Sequence, residues 1–274
     1  MFPYSKYLRT NRLPHIWCTG CGCGIILKAM LRAVDRSGID RNTLIFVSGI
    51  GCSSRTPGYI DFDTLHTTHG RALAFATGIK LAKPEMKVIV LTGDGDACAI
   101  GGNHFIHAAR RNLDLTVILY NNRIYGMTGG QPSPTTPYGE KGTTAPYGSI
   151  EPSFDVCRLA AAAGAVFVAR STCYHATQLD KLILKAMNIK GFSLVEILSP
   201  CPTYYAHLNR LGTSLDLLMG YKRNSIPVEK ARRLDPSELK DKIVTGVIYK
   251  TERPEYFEEY HKLQQGITEN GRLR

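Results

Sequence analysis

An apolar run, VIVLTGDG (88–95), ends in Gly93-Asp94-Gly95, and twenty-five residues then separate Gly95 from Asn121-Asn122, which close the run LTVILYNN. An aspartate carboxylate and an asparagine side-chain oxygen are hard ligands of the kind Mg²⁺ takes together with substrate phosphates. Gly93 and Gly95 let the backbone turn tightly and approach such phosphates. Gly101 and Gly102 precede a helical segment at 103–112, whose first amides can face an anion. The pattern reads as a magnesium–diphosphate clamp with Asp94 and Asn122 as ligands. A lone GDG would be a plain strand–turn–helix crossover; a strand before each half and NN at this distance favour the clamp. A dinucleotide site fits less well, because no GxGxxG opens a helix after the first strand and no acidic residue ends the second.

A second group of residues is built on sulfur. Trp17-Cys18-Thr19-Gly20-Cys21-Gly22 carries a C-x2-C pair, Cys52 follows a strand-like run in GIGCSSR, and Cys201 follows another in SPCP. The pair alone is shared by zinc knuckles and redox dithiols. Four thiolates at loop tips would hold a tetrahedral zinc or a [4Fe–4S] cluster. Cys23, Cys98, Cys157 and Cys173 are the remaining cysteines. Cys157, in VCRLAAAAG, is expected as buried filling, Cys98 has no assigned role, and Cys23 competes with Cys21.

Histidines supply the remaining candidates. His66, His69 and Arg71 stand in LHTTHGRA at a helix start, where they would meet substrate or diphosphate; capping and core roles are the plain alternative. His104 and His107 are spaced like a metal pair, but no third ligand is near in sequence.

These residues need a scaffold that brings strand ends together. Residues 43–50, 87–92, 115–120, 165–169 and 192–198 are short, apolar and rich in β-branched types, as strands buried on both faces are. Helical spacing fills 22–36, 70–83, 102–112, 154–163 and 175–188. The alternation predicts an α/β fold, a mostly parallel sheet flanked by helices. In such a sheet ligands bind at the carboxyl edge of the strands, where Asp94 and Asn122 would meet. Segment 123–153, with five prolines and six glycines, is expected as a lid or binding loop. The rhythm fades after residue 205, so 1–204 reads as one domain and 205–274 as an extension packing on the core or a neighbour.

Bulk properties set the frame. A chain of 274 residues, 43% hydrophobic and 21% charged, has room for one large α/β domain. No apolar run approaches the roughly 20 residues that span a bilayer. The opening MFPYSKYLRTNRLPH has no apolar h-region, so a cytoplasmic location is expected, where disulfides are rare. The net charge of +11 comes from scattered basic residues without an aromatic-interleaved stripe, so an acidic protein partner or anionic small ligands are expected rather than nucleic acid.

GDG followed by NN matches the diphosphate-binding half of thiamine-diphosphate enzymes. W-C-x-G-C-G, then I-G-C-S-S, then P-C-P resembles the β subunit of 2-oxoacid:ferredoxin oxidoreductases. THGRALAFATGIKLA (68–82), GDGDACAIGGNHFIHAARRN (93–112) and YNNRIYGMTGGQPSPTTP (120–137) extend the likeness over roughly residues 15–205. The resemblance implies thiamine diphosphate held through Mg²⁺ on Asp94, Asn122 and the Ile124 carbonyl. It also implies a [4Fe–4S] cluster on Cys18, Cys21, Cys52 and Cys201; a zinc would have no redox role beside thiamine. His69 is the candidate catalytic residue. Arg55 is the candidate for the distal carboxylate of 2-oxoglutarate, with a surface or diphosphate contact as its plain alternative. The implied reaction oxidatively decarboxylates a 2-oxoacid, passes the acyl group to coenzyme A and electrons to ferredoxin, or runs in reverse. The family's pyrimidine-binding half, with its glutamate, would come from an α subunit, with room for further small subunits. Pyruvate or another 2-oxoacid as substrate, a non-redox thiamine decarboxylase or synthase subunit with structural zinc, and a basic nucleic-acid module with a zinc knuckle are the rival readings.

Overall fold

Strands covered on both faces have no need of polar alternation, and the inner strands of this chain have none. The computed structural model describes residues 2–269. Its strands are β1 (Leu44–Ser48), β2 (Asp63–His66), β3 (Lys87–Gly93), β4 (Leu115–Asn121), β5 (Ile124–Tyr125), β6 (Gln131–Pro132), β7 (Phe167–Thr172), β8 (Ser193–Leu198), β9 (Ser225–Pro227) and β10 (Ile243–Lys250). Eight form one sheet in the order β2-β1-β3-β4-β8-β7-β10-β9, while β5 and β6 make a separate hairpin. Every pairing in the large sheet is parallel except β10 against β7.

The helices are α1 (Cys23–Ser37), α2 (Ala72–Ala82), α3 (Gly102–Arg110), α4 (Val156–Ala163), α5 (Ala176–Met187), α6 (Ser214–Asn224), α7 (Val228–Ala231) and α8 (Tyr256–Glu269). α1 and α5 cover one face of the sheet; α2, α3 and α4 cover the other. Successive strand residues feed the two cores in turn: Phe46, Ile89, Ile118 and Val195 join α1 and α5, while Val47, Val90, Val117 and Leu194 join the opposite layer. Full burial of each such side chain stabilises the fold by about 1.5–3 kcal/mol.

The expected architecture is therefore the observed one, with additions the sequence hid. β2 is a short, half-exposed edge strand, DTLH, without an apolar run. β10 is interrupted by Gly246 and by a register shift between Val247 and Tyr249. Residues 49–52 leave β1 as a turn, although the apolar run reaches Ile50. The chain beyond residue 204 adds β10 to the sheet and lays α8 on the second core through buried Phe257. Among the described residues no helix is long and apolar enough to cross a membrane.

Candidate active site at the carboxyl edge of the sheet

Parallel order brings the ends of β1, β3, β4 and β8 to one edge. Their following turns supply Ile50 to Cys52, Gly93 to Gly95, Asn122 and Ser199 to a common cleft, which Tyr125 and Met127 also line. Asp94 is buried there. Its Oδ2 accepts hydrogen bonds from Ser133 Oγ (2.5 Å) and Thr135 Oγ1 (2.6 Å). Burial raises the Asp94 carboxyl above its usual range, and those hydroxyls pull it part of the way back.

Asn122 faces Asp94 across the cleft. With its amide oxygen innermost, that oxygen lies 3.2 Å from Asp94 Oδ1 and 2.6 Å from the Ile124 carbonyl oxygen. Three acceptors with no proton among them repel unless a cation lies between them; with the amide reversed, its nitrogen donates to both oxygens instead. Arg123 makes the turn possible by taking φ of 62°, unusual for a residue with a Cβ, while its N–H donates to Asn121 Oδ1 (3.1 Å). Gly95 allows close approach on the other side, since a Cβ there would fall 2.1 Å from the Tyr125 ring.

Asp96 ties this edge to the turns after β1 and β2. Its Oδ1 accepts from the backbone N–H of Gly70 (2.7 Å) and of Ile50 (3.2 Å) and pairs with His69 Nδ1 (2.8 Å). Its Oδ2 accepts from Thr92 Oγ1 (2.6 Å). His69 is thereby fixed, with its ring 6.2 Å from that of Tyr125. His66 instead pairs with Ser48 Oγ through Nδ1 (2.9 Å). Arg71 donates to the Ile100 carbonyl (3.1 Å). His104 and His107 line a separate hollow between α2 and α3 with Arg111, and burial pushes the His104 pKa down.

Cys18, Cys21, Cys52 and Cys201 line a second cavity together with Trp17 and Tyr204. The two cavities share Cys52, Asn122, Gly126 and Met127 as a wall. At Gly126 a Cβ would stand 3.5 Å from Cys52 Sγ, 3.6 Å from Asn122 Nδ2 and 3.7 Å from Cys201 Sγ. Burial, then the neighbouring thiols of Cys21, Cys201 and Cys18, push Cys52 up to about 12. A hydrogen bond with Cys23 brings Cys21 down to about 7. Cys23 itself sits in the first core and lines the Asp94 cleft, not the four-cysteine cavity.

The family model of the thiamine pyrophosphate enzyme C-terminal TPP binding domain matches residues 49–197, the stretch that builds this edge. The 2-oxoglutarate synthase subunit KorB of Methanocaldococcus jannaschii is 56% identical over 263 residues, covering 96% of this chain and 97% of that protein. The chain belongs to the β subunits of 2-oxoacid:ferredoxin oxidoreductases. The KorB subunit of Archaeoglobus fulgidus is 53% identical over 266 residues, covering 96% of this chain and 95% of that protein. A solved structure, 2-oxoglutarate:ferredoxin oxidoreductase from Magnetococcus marinus with 2-oxoglutarate, coenzyme A and succinyl-CoA bound, superposes with a TM-score of 0.86. It is 35% identical and covers 97% of this chain and 91% of that one.

As a β subunit of this family, the chain is part of an oxidoreductase with more than one subunit and carries a thiamine-diphosphate-binding fold. The structure brings Asp94, Asn122 and Ile124 together, and separately gathers Cys18, Cys21, Cys52 and Cys201. Arg55 lies exposed near the shared wall, its guanidinium 3.8 Å from Met127 Sδ. Cys157 is buried and donates to Glu196 Oε2 (3.2 Å), in a network with Arg170. Sequence reasoning missed Ser133, Thr135 and Asp96. The first two lie in SPTTP, where only the polar residues between prolines hinted at fixed contacts; Asp96 is the second aspartate of GDGD. Segment 123–153, expected as a lid or binding loop, is tied to Asp94 by the hydroxyls of Ser133 and Thr135.

Proposed function

We propose that this β subunit carries thiamine diphosphate and a [4Fe–4S] cluster for the coenzyme A-dependent oxidative decarboxylation of 2-oxoglutarate, or its reversal, with ferredoxin as electron partner. The observation that carries the reading is the shared wall, which puts an oxygen-ligand site and a four-thiol cavity on either side of Gly126. Asp94, Asn122 and the Ile124 carbonyl would hold Mg²⁺, a set whose oxygen-only convergence suits a hard cation. The thiamine ring, when bound, supplies the electron sink that makes loss of carbon dioxide possible. Asp96, which lines the cleft, fixes His69 beside Tyr125, where it would hold or pass a proton. Arg55 would take the distal carboxylate of the substrate near Met127.

The cysteine geometry favours a cluster over zinc. A tetrahedral zinc with bonds of about 2.3 Å needs sulfurs about 3.8 Å apart. Among the described residues, the one group of three or more ligand atoms within 4.8 Å of one another is Asp155, Cys157 and Glu196. No three of the four cavity thiols lie that close together, a spacing that supports the wider cluster. Glutamate acting on the aminopyrimidine would come from an α subunit with the pyrimidine half. Residues 205–274 are read as the interface extension, since α8 buries Phe257 but leaves Tyr256, Tyr260 and Leu263 exposed. A cytoplasmic setting suits the free cysteines and an oxygen-sensitive cluster.

Anaerobic co-purification with the partner subunits, followed by iron, acid-labile sulfide and zinc analysis and a 2-oxoacid panel with coenzyme A, tests the reading. About four irons and four sulfides per chain, with 2-oxoglutarate preferred, are expected. Stoichiometric zinc without sulfide would sink it.

A further inference from the structure

We propose that Glu196 is a positioning residue for the magnesium clamp, acting through the side chain of Asn121. The inference rests on the clamp reading above and names what keeps the clamp's three oxygens converged. Glu196 is 2% exposed and is the only charged residue of the interior strand β8, SLVEIL. Leu194, two residues earlier, packs in the second core, so Glu196 is directed at that same face of the sheet. A carboxylate taken out of water there is costly unless its oxygens find partners. Oε1 accepts from Asn121 Nδ2 (2.7 Å), and Oε2 accepts from Arg170 Nε (2.6 Å) and Cys157 Sγ (3.2 Å). Arg170 is held in turn by Asp155 (2.6 Å), which caps α4. Glu196 lines the polar cavity it shares with Arg170 and Asp155, not the Asp94 cleft.

Pairing with Arg170 explains Oε2 but leaves Oε1 to be explained. An asparagine amide has a donor end and an acceptor end, and a carboxylate only accepts, so Glu196 takes the nitrogen end of Asn121. The amide oxygen must then point away from Glu196. There it accepts from the backbone N–H of Arg123 (3.1 Å) and from Thr135 Oγ1 (2.9 Å). The first contact supports Arg123 at φ of 62°, a left-handed state that is unfavourable for a residue with a Cβ. That turn carries Asn122 on one side and Ile124 on the other. The second contact places Thr135, whose hydroxyl lies 2.6 Å from Asp94 Oδ2. One oriented amide thus bears on Asp94, Asn122 and the Ile124 carbonyl together.

The donor–acceptor logic fixes what each substitution does. In Glu196→Gln the oxygen of the new amide stays with Arg170, which only donates, and its nitrogen is turned toward Asn121. Asn121 must then turn over, and its own nitrogen faces the Arg123 N–H, donor against donor. The left-handed turn loses its support, and Asn122 and Ile124 are free to drift apart. Asn121→Asp alone sets two carboxylates against each other across the same contact. Combined, Asn121→Asp and Glu196→Gln restore the pairing with the donor on strand β8 and acceptors on the turn, at unchanged net charge. A role confined to stability gives no reason for that recovery.

The test uses the anaerobically purified heteromer as wild type, Glu196→Gln, Asn121→Asp and the combined variant. Isothermal titration of Mg²⁺ into each protein with thiamine diphosphate in excess gives the metal Kd, and melting without metal or cofactor reports stability separately. Glu196→Gln is expected to weaken Mg²⁺ binding about tenfold or more, as loss of a group behind a metal ligand does. The combined variant is expected to return to within about threefold of wild type, far from the sum of the single losses. Unchanged Mg²⁺ affinity in Glu196→Gln, or a loss that the combined variant does not recover, overturns the positioning role and leaves the proposed function standing. If Glu196→Gln fails to assemble, the combined variant decides: assembly with near-wild-type Mg²⁺ affinity supports the role, and failure overturns it. A wild-type heteromer without Mg²⁺-dependent binding of thiamine diphosphate overturns the proposed function, and the positioning role with it.

Discussion

At the scale of single residues, Asp94 is a buried carboxylate that a bound cation would favour. Burial opposes its ionisation, Ser133 and Thr135 donate to one oxygen, and the other faces the Asn122 amide, which in turn meets the Ile124 carbonyl. Asp94→Asn should therefore lower magnesium-dependent binding of thiamine diphosphate by roughly 100-fold or more, and Thr135→Val by about 10-fold. Calorimetric titration of the heteromer measures both. The metal-free melting temperature of Asp94→Asn should not fall, because the substitution removes a buried charge; a marked drop would show that the carboxylate has a structural role instead. The sequence made Asp94, Asn122 and the cysteines legible because each is a reactive type at a strand end. Ser133 and Thr135 were hidden, since their partner lies about forty residues away.

At the scale of elements, the site depends on turns that hold strand ends in register. Gly49 follows β1 and touches Asp96 so closely that a Cβ would lie 2.0 Å from Oδ2. Gly49→Ala should displace that carboxylate from His69, Gly70 and Ile50, lowering the melting temperature by several degrees and weakening cofactor binding together. At the opposite edge, Asp114 Oδ2 pairs with buried Lys80 (2.9 Å), and Oδ1 lies 3.4 Å from Lys87 Nζ. Burial works against its ionisation, yet Lys87 and Lys80 hold the Asp114 carboxyl below the usual range. A depressed carboxylate contributes stability above its unfolded pKa of about 3.9, and that contribution is lost as pH falls through the lower folded value. Asp114→Asn should cost about 3 kcal/mol at neutral pH by stranding the lysines, and should lose less on acidification below about pH 4 than wild type does. Urea midpoints across that range decide; parallel curves for the two proteins would refute the assignment. The inner strands could be read from sequence because burial on both faces writes an unbroken apolar run. β2, β9 and β10 could not, because partial exposure and Gly246 blur the pattern.

At the scale of the molecule, one sheet carries both candidate sites at its carboxyl edge. The fold class followed from the alternation of strands and helices, and the family from several motifs in one order. The path of residues 205–269 did not, since the short strands there are partly exposed and α8 docks through one buried phenylalanine. If the pyrimidine half belongs to a partner, the isolated chain should show no 2-oxoacid-dependent viologen reduction, and adding the α subunit should restore it. Turnover by the chain alone would contradict that division of labour.

The wall formed by Cys52, Asn122, Gly126 and Met127 separates the two cavities by a single layer of residues, so the two proposed sites are placed to influence one another. If the thiol side holds the proposed cluster and the oxygen side the proposed cofactor, any effect of reduction on cofactor affinity is matched by an equal effect, in free energy, of cofactor binding on reduction. A tenfold change in cofactor affinity between the oxidised and reduced states would thus appear as a change of about 59 mV in midpoint potential on cofactor binding. A substitution at Gly126 would change both numbers at once.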